Sequence, residues 1–215
     1  MKTILFQGDS ITDAQRIKED PDHMGSGYAI MVAGELGLCE PGKYRFINRG
    51  VSGNKSTDVL ARMKEDIIDI KPDYMSLMIG VNDVWHELDL HCGCDEAAYA
   101  ESLTKIVEGT LNACPGVKII MLEPYILEEY NTRATEDFPD KWEKFKSEVA
   151  KRSAIAREIS EKYSLKFVSL QDILDKACEA TGVAYWASDG VHPTPMGHCL
   201  IAREWIKAFK EIEDK

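Results

Sequence analysis

Short apolar runs alternate with helix-period segments along the whole chain, and this alternation limits the fold more than any other feature. The apolar runs fall at residues 3–7, 44–48, 73–79, 117–122 and 166–168. Between and after them, helical character is expected over 27–38, 58–70, 97–114, 139–163, 170–180 and 195–212. The last of these shows the pattern best: Ile201, Trp205, Ala208, Phe209 and Ile212 recur at helical spacing. Its start is also marked, because Thr194 can cap and Pro195 suits the first helical position. Strands separated by helices imply βαβ units and a parallel sheet, with right-handed crossovers burying that sheet between two helical layers. The expected architecture is therefore α/β: a flavodoxin-like, three-layer α/β/α sandwich around a central five-stranded parallel sheet. The 215 residues suit one domain spanning 1–215, with no repeat or linker to divide it.

Composition narrows the function classes. Apolar residues make up 44% and charged residues 29%, values of an ordinary globular chain with enough apolar material for one core. A formal net charge of −11 opposes binding to nucleic acid and leaves a small neutral or cationic substrate as the expected partner. The N-terminal apolar run is too short for a secretion signal and no stretch approaches a membrane span, so a cytoplasmic protein without a membrane partner is expected. The six cysteines, Cys39, Cys92, Cys94, Cys114, Cys178 and Cys199, then read as free thiols. His91-Cys92-Gly93-Cys94 has no second ligand pair and reads as a loop with incidental thiols, so no metal is expected.

In open α/β sheets, ligands bind outside the carboxyl ends of the strands. Four polar sets follow strands or end the chain's last loop. They are Gly8-Asp9-Ser10, Ser52-Gly53, Gly80-Val81-Asn82-Asp83 and Asp189-Gly190-Val191-His192. A serine hydroxyl is a weak nucleophile until a base takes its proton. A neutral imidazole does that near neutral pH, and a carboxylate behind it fixes the tautomer and stabilises the imidazolium. Ser10, His192 and Asp189 can supply such a triad. The N–H groups of Ser10 and Gly53 and the amide of Asn82 can supply an oxyanion hole. Each residue alone has an ordinary reading: Ser10 as a turn residue, His192 as a satisfied loop histidine, Asp189 as an Asx-turn, Asn82-Asp83 as a turn and Gly53 as an unusual backbone angle. Their joint order at successive strand ends is what gives them a chemical meaning.

The four sets resemble the blocks of the SGNH (GDSL) hydrolase superfamily, and the resemblance runs from near the start of the chain to near its end. Ile11 stands where the family name has leucine. Thr12 stands where an α/β-hydrolase elbow would have glycine, which separates the two folds. The resemblance implies a serine esterase working without a metal or organic cofactor. Within the superfamily the chain is most similar to the intracellular bacterial acetylxylan esterases, through Gly8–Asp13, Asn48–Asn54, Met78–Trp85 and Asp189–Pro193. That subgroup implies removal of acetyl groups from xylo-oligosaccharides and a homo-oligomer.

Trp85, three residues after Asn82, and Trp186, three before Asp189, are expected to border the site and offer stacking faces to sugar rings. Either indole could equally pack into its loop. Asp9, Asp13 and Asp83 are expected to hold loops by accepting hydrogen bonds, and His198 is the rival base on paper. The segment 124–139 is polar, unlike the apolar cover expected of a lipase. A broad-specificity esterase, lysophospholipase or thioesterase on the same fold remains the enzymatic rival, and an inactive carbohydrate-binding relative the rival of another class.

Overall fold

All five apolar runs are strands in the computed structural model, which describes residues 1–213. They are β1 (Lys2–Gly8), β2 (Tyr44–Asn48), β3 (Tyr74–Met78), β4 (Lys118–Leu122) and β5 (Lys166–Val168), parallel throughout and ordered β2-β1-β3-β4-β5. Alternate side chains point to opposite faces. Ile4, Phe6, Tyr74, Met78, Ile120 and Leu122 join one core, whereas Leu5, Ile47, Met75, Leu77, Ile119 and Met121 join the other. Burial on both faces explains why the inner strands β1, β3 and β4 are apolar along nearly their whole length instead of alternating.

Among the described residues eight α-helices surround the sheet: α1 (Ser10–Asp13), α2 (Tyr28–Cys39), α3 (Ser56–Ala61), α4 (Val81–Leu90), α5 (Glu96–Ala113), α6 (Lys141–Lys162), α7 (Gln171–Thr181) and α8 (Pro195–Glu213). The first core packs against α2 and α8, where Trp205 stacks on Phe209 with ring centroids 5.1 Å apart and meets Phe6 at 5.4 Å. Full burial of each such ring contributes about 1.5–3 kcal/mol. The second core packs against α3, α5 and the C-terminal half of α6 through Val59, Leu103, Ile106, Ala156 and Ile159. The start of α8 is capped as expected, Thr194 Oγ1 accepting the Gly197 N–H at 3.3 Å.

Two elements depart from expectation. The helix anticipated over 58–70 is α3 followed by a π-helical turn, Lys64–Ile68. Arg62 lies at the break, and Val59, Met63 and Ile67 all stay buried across it. The segment after β3, where the sequence reading placed no helix, is α4. Val81, Val84, Trp85 and Leu88 do recur at helical spacing, but Asn82-Asp83 obscures the signal with a turn-like pair.

The register aligns the strand ends. Phe6 pairs with Asn48, and Gly8 pairs with Met78. The segments after β1, β2 and β3 therefore leave the sheet side by side at its carboxyl edge.

Candidate active site

Ser10 is the first residue of the single helical turn α1, and Asp9 caps that turn by accepting the Ile11 N–H at 3.0 Å. His192 comes from the loop before α8. Its Nε2 lies 2.9 Å from Ser10 Oγ, and its Nδ1 lies 2.7 Å from Asp189 Oδ2. The other oxygen, Asp189 Oδ1, accepts the N–H groups of Val191 at 2.9 Å and His192 at 2.7 Å. Burial pushes the Asp189 carboxyl upward, but the bonds from His192 and from these backbone groups outweigh it and hold the group well below the usual carboxylate range. An ionised carboxylate only accepts, so Nδ1 carries the imidazole proton and Nε2 is free to accept from the Ser10 hydroxyl. The bond to Asp189 raises His192 above an ordinary histidine, against the opposing effect of burial.

Gly53 and Asn82 reach the same point from the neighbouring strand ends. Gly53 has φ +79°, a left-handed conformation that favours glycine. Neither the Ser10 nor the Gly53 N–H is claimed by an acceptor among the described residues. Asn82 Nδ2 donates one hydrogen to the Asn54 carbonyl at 3.0 Å, which orients the amide and leaves its second hydrogen available.

The surrounding carboxylates hold these loops in place. Asp13 accepts the Ser52 N–H at 2.9 Å and the Arg16 N–H at 3.0 Å. Buried Asp83 accepts from Ser56 N at 3.0 Å and from Ser56 Oγ at 2.5 Å, locking α4 to the start of α3. Burial pushes Asp9 up to about 7, opposed by the Ile11 N–H and the His192 charge. One support gave no local signal in the sequence. Arg62 donates to Asn54 Oδ1 and the Arg49 carbonyl at 2.8 Å each, to Gln7 Oε1 at 2.7 Å and to the Gly8 carbonyl at 3.2 Å, so one guanidinium joins the ends of β1 and β2. The β1 partners, Gln7 and Gly8, are far from Arg62 in sequence, which is why pattern reading passes over it.

A cleft with two lobes opens on either side of Ser10 and His192. The larger, of about 500 Å³, is lined by Asp13, Gln15, Ser26 and Ser188 among others. Ala14 and Gln15 are consecutive non-glycine residues with positive φ, 42° and 62°, held on this wall partly by Ser26, whose N–H and Oγ both donate to the Ala14 carbonyl. The smaller lobe, of about 280 Å³, is lined by Gly53, Asn82, Trp85, His86 and Leu90 among others.

The two tryptophans part company. Trp85 borders the smaller lobe, its ring 5.9 Å from that of His192 and its Nε1 donating to Asp89 at 2.7 Å. Trp186, expected at the cleft with it, lines neither lobe. Its Nε1 donates to Thr181 Oγ1 at 2.8 Å, and its ring meets Tyr185 edge-on at 5.1 Å. The bridge between Ala187 and Pro193 closes the 187–193 loop and leaves Trp186 at its base, so closeness in sequence to Asp189 does not become closeness to the cleft. His198 is buried on α8, with Nδ1 accepting the Tyr28 N–H at 3.1 Å.

A parallel three-layer fold with a serine, a histidine and an aspartate joined in line at the carboxyl edge is an arrangement suited to nucleophilic acyl transfer. The profile of the GDSL-like Lipase/Acylhydrolase family matches residues 6–200. An acetylxylan esterase of Geobacillus stearothermophilus is 33% identical, over 95% of this chain and 92% of that protein. The solved structure of an acetylxylan esterase from the same organism superposes with a TM-score of 0.83 at 30% identity, covering 96% of this chain and 93% of the other. A GDSL-like protein of Parabacteroides merdae gives 0.88 at 33% identity, covering 96% and 94%. The chain belongs to the GDSL-like lipase/acylhydrolase family.

Proposed function

We propose that Ser10 is the nucleophile, His192 the general base and Asp189 the carboxylate that orients it, and that the ester cleaved is an O-acetyl group on a saccharide, xylo-oligosaccharides foremost. The observation that carries this reading is the unbroken line from Ser10 Oγ through His192 to Asp189, at 2.9 and 2.7 Å, beside unclaimed N–H donors. Ser10 attacks the acetyl carbonyl as His192 takes its proton. The N–H groups of Ser10 and Gly53 and the free Asn82 Nδ2 hydrogen receive the developing oxyanion. His192 then protonates the departing sugar alcohol. Water, activated by the same imidazole, releases acetate from the acyl-enzyme.

Substrate class rests on the likeness to the acetylxylan esterase of Geobacillus stearothermophilus and on the two lobes of the cleft, and the triad has a support of its own in that relative. The acetylxylan esterase relative has solved variants at a catalytic aspartate and a catalytic histidine spaced three residues apart, the spacing of Asp189 and His192. The smaller lobe, lined by Gly53 and Asn82, lies beside the oxyanion donors and is where the acyl group sits. The larger lobe, with Gln15, Ser26 and Ser188, then receives a hydroxylated alcohol. The reading treats residues 1–215 as one catalytic domain and extends, by resemblance to the intracellular acetylxylan esterases, to a cytoplasmic homo-oligomer. No helix among the described residues is long and apolar enough to cross a membrane.

Acetate release from acetylated xylo-oligosaccharides and other acetylated sugars, compared with aryl esters of increasing acyl length, tests the proposal. Preference for acetyl and for saccharide alcohols is expected. Rates that climb with acyl length would assign a broad-specificity esterase or lysophospholipase instead. Ser10→Ala is expected to lower kcat by a factor of about 10⁴ or more on every ester, and full turnover by that variant would overturn the mechanism.

A further inference from the structure

We propose that Asn131 is a positioning residue of the active site, acting on His192 through the carboxylate of Asp189. The inference rests on the triad reading and adds a residue to it. Residues 125–132, between β4 and α6, run alongside the 189–192 loop. Leu127 N–H donates to the Gly190 carbonyl at 2.8 Å, and the buried Tyr125 hydroxyl donates to the Val191 carbonyl at 3.0 Å. Gly190 has φ +95°, and a Cβ there would lie 2.4 Å from the Leu127 carbonyl oxygen and 2.5 Å from Thr132 Oγ1. The two segments are therefore flush, and only glycine permits the approach.

Asn131 sits in this seam with both of its N–H donors on one residue. Its backbone N–H donates to the Asp189 carbonyl at 3.0 Å, and Nδ2 donates to Asp189 Oδ2 at 2.9 Å. Oδ2 is the oxygen that faces His192 Nδ1. The carboxylate thus accepts four hydrogen bonds from the described residues, two on each oxygen, and among them Asn131 supplies the only one from outside the 189–192 loop. This bond fixes the plane of the carboxylate against the imidazole and shares the charge that His192 meets. Asp189 and Asp9 are the carboxylates that face His192, and His198 faces it from α8. None of these replaces the Asn131 donor.

A residue that acts through Asp189 must lose its effect when Asp189 is gone. Asn131→Leu keeps the shape and the backbone N–H but removes the donor. It is expected to lower kcat about tenfold, the worth of one hydrogen bond to a charged group, with KM nearly unchanged. In an Asp189→Ala background the same change is expected to have almost no further effect. An equal loss in both backgrounds would mean a general structural role and would overturn the proposal. If Asn131→Leu does not fold, Asn131→Ala in a Ser10→Ala background removes the donor from Oδ2 without adding bulk or charge. The His192 titration followed by NMR should then rise by about one pH unit, and an unmoved titration would overturn the proposal. Failure of the triad reading is recognised separately, by Ser10→Ala retaining activity whatever Asn131 does.

Discussion

His192 and His198 lie six residues apart and share a side chain, but their surroundings give them opposite chemistry. His192 stands on a loop at the sheet edge, bonded to a carboxylate on one side and a serine hydroxyl on the other. That carboxylate raises its pKa. His198 is enclosed in the first turns of α8, and burial lowers it to about 4, with the nearby His192 charge acting in the same direction. It stays neutral and accepts the N–H of Tyr28, the first residue of α2. One imidazole is placed to exchange a proton near neutral pH, and the other serves as a fixed acceptor between two helices. The comparison teaches that what a histidine can do is set by its partners and solvent access, neither of which follows from its neighbours in the chain.

Removing the partner breaks the difference most severely. Asp189→Asn leaves the loop's shape but no longer favours the proton on Nδ1, and kcat should fall about 10⁴-fold. Steady-state rates on an aryl acetate read this directly. The same pair sets the pH profile. His192 is raised above 6.5 and acts as a base only when neutral, so kcat/KM should fall about tenfold per pH unit below a midpoint lying above 6.5. A midpoint set by His198 would lie far lower, near its value of about 4.

The converse change tests the structural histidine. His198→Leu leaves the Tyr28 N–H buried without an acceptor and should cost about 1–3 kcal/mol of stability, read by urea unfolding. kcat should stay within the same order of magnitude, and a collapse in a folded variant would make His198 a participant. The last effect concerns Asp9, whose carboxyl is raised in the folded protein from 3.8 to about 7. The folded state holds that proton more tightly than the unfolded state, so this group's contribution to stability is present at low pH. It is lost as pH rises from about 4 to about 7. Asp9→Asn keeps an acceptor for Ile11 and has no proton to lose. Its stability relative to the wild type should therefore improve across that window and level off above it.

Much of this was legible in the chain. The five apolar runs predicted the five strands, the inner three because burial on both faces leaves a continuous apolar signature. The residues Ser10, Gly53, Asn82, Asp189 and His192 could be picked out because they follow strands or precede a marked helix start. Helix α4 was masked by Asn82-Asp83, although its apolar spacing was present. Trp186 misled because sequence distance to Asp189 ignores the bridge that closes the loop between them. Arg62 and Asn131 were not legible as supports, since the contacts that matter, to Gly8 and to Asp189, span 54 and 58 residues.

The sequence by itself determined the alternation of strands and helices, and with it a parallel sheet whose carboxyl edge gathers the polar sets. Local patterns suffice for that, because burial period and helix start signals act over a few residues. Only the tertiary structure decided which of two histidines meets a carboxylate, which of two tryptophans borders the cleft and which asparagine braces Asp189. Those outcomes depend on strand register and on packing between segments distant in the chain. Hydrogen-bond geometry and desolvation at such contacts are fixed only after the layers close on one another.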